Sequence, residues 1–151
     1  MKLKFFFLIS FLAFLATSCS DDDNAATVAD IQGVYEGYTI AECKYFSGTI
    51  TENESVTISE NADGTAKITY TSQTWGTVII PSAKLIESGG VYALSGSGET
   101  QMGMEGNIKT YACSFIATIM NKSEAGMEFS VPAVMGGLKI TFSTGTPPVS
   151  E

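Results

Sequence analysis

The stretch NIKTYACSFIATIM at 107–120 decides the fold. Its odd positions Tyr111, Cys113, Phe115, Ala117 and Ile119 are apolar, with Thr110, Ser114 and Thr118 between them. Successive side chains of an extended chain point to opposite faces, so a period of two places one face on a core and the other in water. Ile140 and Phe142 alternate in the same way with Lys139, Thr141 and Ser143, as do Val56 and Ile58 with Thr57 and Ser59. A helix needs apolar residues three and four apart, and no long run in this chain has that spacing. The chain reads as all-β.

Outward from that stretch, runs of Val, Ile, Thr, Tyr and Phe are separated by clusters of Gly, Asn, Asp and Ser. They predict strands over 33–43, 45–51, 54–60, 65–72, 74–86, 90–97, 107–120, 127–134 and 137–143. A kinked strand reads as two, so nine segments set an upper bound. Asn61-Ala62-Asp63-Gly64 predicts a hairpin whose glycine takes a left-handed backbone without steric cost. Ser88-Gly89-Gly90 and the stretch 121–126 predict two more, and residues 28–32 a single helical turn. Pro132 predicts a sheet edge or bulge, since it has no N–H to give a ladder. Strands at this spacing form a sandwich or an up-and-down barrel.

The 151 residues hold 16 Asp plus Glu against 8 lysines, with no arginine and no histidine, for a net charge of −8. Nucleic-acid binding needs a basic footprint, which is absent. Without histidine there is no Ser-His-Asp triad, no Cys-His pair and no His-ligated zinc. No enzymatic activity, metal or cofactor is expected.

The first eighteen residues have the parts of a secretory signal: Lys2 and Lys4, an apolar run FFFLISFLAFL, then the small residues Ala16, Thr17 and Ser18. The apolar run is too short for the ~20 residues that span a bilayer. LATSC, ending at Cys19, resembles the lipobox of bacterial lipoproteins, with Ala16 where leucine is usual. It implies cleavage before Cys19 and lipid on its thiol. Ser20, Asp21, Asp22 and Asp23 resemble the surface-export signal of Bacteroidetes, and would equally serve as a solvated tether. The expected organisation is a signal peptide over 1–18, a lipidated cysteine and acidic tether over 19–32, and one domain over 33–151.

Gly33-Val34-Tyr35-Glu36-Gly37-Tyr38-Thr39 resembles the first strand of the calycin-like (lipocalin-like) lipoproteins of Bacteroidetes. The resemblance continues in Asn61-Ala62-Asp63-Gly64-Thr65, in Gly90-Val91-Tyr92-Ala93-Leu94-Ser95-Gly96, and in Met135-Gly136-Gly137-Leu138-Lys139-Ile140-Thr141-Phe142. It implies a closed antiparallel up-and-down barrel of about eight strands, a size whose interior is filled by side chains or holds one small ligand. The Gly-x-Trp of lipocalins proper is missing, and the one tryptophan, Trp75, lies mid-chain.

Cys43 and Cys113 remain once Cys19 is lipidated; outside the cytoplasm they either form a disulfide or lie as buried thiols. Met102, Met104, Met120, Met127 and Met135 read as core filler and loop rather than a soft-metal site. Glu52, Glu54, Glu60, Glu99 and Glu105 lack calcium-loop spacing and read as solvated surface. Trp75, Tyr35, Tyr92, Tyr111 and Phe115 are the candidate ligand-binding residues, Trp75 first, because aromatic rings at a barrel mouth grip apolar or sugar-like molecules. The expected protein is anchored in the outer membrane, facing the cell surface or periplasm, and binds a small apolar or glycan ligand. The alternative is a filled barrel that meets another surface component through its loops or a sheet edge.

Overall fold

The computed structural model describes residues 26–149. The signal peptide, Cys19 and the acidic run Asp21 to Asp23 lie outside them. Eight antiparallel strands form one closed meander: β1 (Gly33–Glu42), β2 (Thr49–Glu60), β3 (Ala66–Ser72), β4 (Gly76–Ser88), β5 (Val91–Met104), β6 (Asn107–Asn121), β7 (Glu124–Val131) and β8 (Leu138–Thr144). β8 pairs back onto β1, from Gly37 opposite Thr144 to Glu42 opposite Lys139. The barrel is closed, and no sheet edge is left.

Two of the nine expected segments are one strand. β2 runs through 45–51 and 54–60 from Thr49 onward, and its kink is Asn53, with φ of 58°. Asparagine is among the few residues that tolerate this left-handed backbone. Between the pairs Gly37–Glu54 and Thr39–Thr51, β2 spends one residue more than β1. Such a bulge resets the phase of a strand. From there on the even residues Glu54, Val56 and Ile58 are the buried ones. Pro81 lies where the β4–β5 register shifts, between Ile79 and Lys84. Pro132 follows the last residue of β7, in the connection to β8, rather than at an edge or bulge inside a strand.

The antiparallel meander gives the barrel two ends. A 3-10 turn, Val28–Asp30, lies at the lower end, where β1 begins, and buries Val28 and Ile31. The Tyr35 hydroxyl donates to the Ile31 carbonyl at 2.5 Å. Lys122, from the β6–β7 turn, donates to the Gln32 carbonyl at 2.6 Å, and its Nζ lies 5.9 Å from the centre of the Tyr35 ring. The lower end is shut. The turns after β1, β3, β5 and β7 form the upper end.

Between the ends the barrel is packed. Tyr70 stacks on Phe129 with centroids 5.1 Å apart, and Phe115 meets Phe129 from another side, also at 5.1 Å. Two inward positions of β5 are glycines because β4 comes too close for a side chain. A Cβ on Gly98 would lie 2.1 Å from the Ile79 carbonyl oxygen. The outer wall is mostly polar, with Thr57, Ser59, Lys67, Ser114 and Ser130 between the buried residues and scattered apolar side chains such as Val34, Ile79 and Met120 exposed among them. A barrel that spans a membrane carries its apolar band outside. This one carries it inside.

Candidate functional site at the upper end of the barrel

The five aromatic residues expected to bind ligand do not converge. Tyr35 is sealed in the lower end, and its phenol is pushed up to about 12 by burial. Phe115 belongs to the central stack. Tyr92 and Tyr111 pack half-buried against the core, near the lower start of β5 and the upper start of β6. Trp75 alone sits in an upper-end turn, 9% exposed, with its ring stacked on Phe46 at 6.0 Å.

Of the two alternatives for the cysteine pair, the structure has the thiols. Cys43 and Cys113 are free thiols. Cys43 follows β1, whose neighbours are β2 and β8, whereas Cys113 lies on β6 between β5 and β7. The Cys43 sulfur accepts from the Tyr45 amide at 3.3 Å, and the Cys113 thiol donates to the Ser114 carbonyl at 3.5 Å. Burial pushes the Cys113 thiol up to about 11. A thiol is reactive as its thiolate. Iodoacetamide at pH 8 is therefore expected to modify half-buried Cys43 in the native protein, and Cys113 only after denaturation. Peptide mass spectrometry checks this, and native labelling of Cys113 contradicts it.

Beneath Trp75 lies a group of side chains that the residue pattern did not mark as a site. Among the described residues, four buried side-chain polar atoms have no hydrogen-bond partner: Thr39 Oγ1, Glu54 Oε2, Tyr70 OH and Trp75 Nε1. All four belong to the upper half. Thr39 is near the upper end of β1, Tyr70 and Ser72 close β3, and Trp75 is in the turn that follows. Glu54 is only 5% exposed, so its reading as a surface acid is corrected. Glu54 stands two residues before Val56 on an unbroken stretch of β2, so it shares the inward face of Val56 and Ile58. The signal was legible: Glu54 shares the period-two face of those two residues.

Ser72 ties the group together. Its hydroxyl donates to Glu54 Oε1 at 3.0 Å and accepts from the amides of Thr74 and Trp75, both at 3.1 Å. Those amide bonds bend the chain after β3 and hold Trp75 over the barrel end. The Tyr70 hydroxyl lies among Glu54, Ser72 and Thr39 without a well-aligned bond. Its pKa is raised, first by burial and then by Glu54. Each buried polar group left unpaired costs about 1–3 kcal/mol. Four such atoms lie toward one end of an otherwise apolar core.

The fold has a likeness among solved structures. The likeness is to a Bacteroides protein. A crystal structure of a Bacteroides fragilis protein described as a "putative outer membrane protein", at 2.40 Å, matches with a TM-score of 0.66 and 31% sequence identity. The match covers 80% of this chain and 46% of that one, so the chain spans about half the length of its relative. Bacteroides belongs to the group in which the sequence motifs find their likeness. No protein-family model and no curated protein matches the chain.

Proposed function

We propose that this protein is a lipid-anchored module of the outer envelope whose barrel holds one small hydrogen-bonding ligand at its upper end. The carrying observation is the group of Thr39, Glu54 and Tyr70 around Ser72, with Trp75 held by its amide to the same Ser72 and four unpartnered polar atoms buried at one end of an apolar interior. The polar outer wall supports attachment through Cys19 rather than through the strands. The 3-10 turn puts residues 26–32 at the lower end, so the upper end faces away from the anchor. The relative's description as an outer membrane protein supports the envelope. Stacked Tyr70, Phe129 and Phe115 fill the middle, which disfavours a fatty acid or haem.

A second reading, the filled barrel that docks on a surface partner, draws on the β5–β6 hairpin. Met104 is 85% exposed and Ile108 63% exposed beside its tip. A shallow depression of about 480 Å³ lies on the outer β4–β5 wall, lined by Ile79, Pro81 and Glu99 among others. One experiment separates the two. Thermal shift and Trp75 emission are measured against sugars, amines, amino acids, fatty acid and haem. The ligand site predicts a raised melting temperature and a shifted emission with a small polar compound. A response to fatty acid or haem alone overturns it, and silence from every compound leaves the docking barrel.

A further inference from the structure

We infer that the upper-end site recognises a primary ammonium group, that is, a small alkylamine with a hydrogen-bond acceptor close to its nitrogen. This rests on the ligand site proposed above and names its chemistry. Glu54 brings a carboxyl group into the barrel with one oxygen bonded to Ser72 and the other unpartnered. Among the described residues no lysine pairs with it; the ion pair Lys139–Glu42, at 2.9 Å, lies on the outer wall. A buried carboxyl group with a free oxygen is well matched by a cationic hydrogen-bond donor. The ligand is the place from which one can come.

The atom count agrees. Three of the unpartnered atoms are oxygens, Thr39 Oγ1, Glu54 Oε2 and Tyr70 OH, and an ammonium carries three N–H donors and no acceptor. The fourth atom, Trp75 Nε1, is a donor only, which calls for an acceptor elsewhere on the ligand. A metal ion fits less well. Calcium takes six to eight oxygens, commonly several carboxylates, and among the described residues no three His, Cys, Asp or Glu side chains stand together.

Three probes that lose the N–H donors and then the charge test this on the purified full chain, by calorimetry and Trp75 emission. Ethanolamine has the charge, the N–H donors and the hydroxyl. Choline keeps charge and hydroxyl but has no N–H, and ethylene glycol keeps only hydroxyls. Ethanolamine is expected to bind at least tenfold more tightly than either of the others. Glu54→Gln, nearly identical in shape, is expected to lower ethanolamine affinity at least tenfold, and circular dichroism checks that it folds. If it does not, the three-probe comparison on the unaltered protein still decides. Equal or tighter binding of choline or ethylene glycol overturns the ammonium assignment and leaves the site. No heat and no emission change with any probe, or with the wider panel, overturns the assignment and the site together.

Discussion

Replacing Phe129 by alanine is expected to lower the unfolding free energy by about 3–5 kcal/mol, the cost of emptying a large aromatic site in a packed core. Phe129 is fully buried on β7 and is the ring that both Tyr70 and Phe115 contact, each at 5.1 Å. Its removal therefore takes away its own transfer from water and one partner from each of two further rings. Closed strands on every side limit how far the wall can collapse into the gap. Phe129→Leu, which keeps most of the volume, is expected to cost clearly less. Urea unfolding followed by circular dichroism measures both. A loss below 1 kcal/mol for the alanine variant would show that the stack is not the centre of the core.

Alkaline solution is expected to have the second large effect, through groups on both sides of that stack. Burial raises Cys113 to about 11 and Tyr35 to about 12, and pushes Tyr70 up further. The unfolded chain releases these protons near the ordinary values of 9.0 for the thiol and 10.0 for the phenols. Between those values and the raised ones the folded state holds protons that the unfolded state has lost, so stability falls with rising pH. The stabilisation is intact below pH 9 and is lost as pH climbs through about 11 to 12. Lys139, raised by Glu42, acts in the same direction but is half-exposed and screened. Melting temperatures from pH 7 to 12, with phenolate absorbance recorded alongside, test this. Tyr35 and Tyr70 should ionise together with unfolding, and a flat melting temperature from pH 8 to 11.5 would contradict the assignment.

How much of this was legible in the residues differs from strand to strand. β6 was plain because Tyr111 to Ile119 alternate without interruption and bury one face. The hairpin at Asn61 to Gly64 was plain because its chemistry is local: Gly64 has φ of 87°, and the Asp63 carboxylate accepts from the Thr65 amide and hydroxyl. Those two bonds also hold the Asp63 pKa below its ordinary value. The upper half of β5 was not legible. The predicted strand stops at Ser97, yet β5 runs on through Gly98 and Gly103 to Met104. Gly98 is set by the approach of β4 and Gly103 by that of β6, distances that no local pattern encodes.

The site divides in the same way. The sequence by itself determined an all-β chain, a polar outer face and an apolar inner one, because a period of two is a property of the extended backbone alone. It also marked Trp75. Closure of β8 on β1, the wide separation of Cys43 and Cys113 around the wall, and the meeting of Glu54 with Ser72 were decided by tertiary structure. Each depends on register, and register around a barrel is set by bulges and by which strands become neighbours. On β2 the extra residue at Asn53 offsets the residues before it, while Glu54 keeps the inward face of Val56 and Ile58 and meets Ser72 only because β3 is its neighbour.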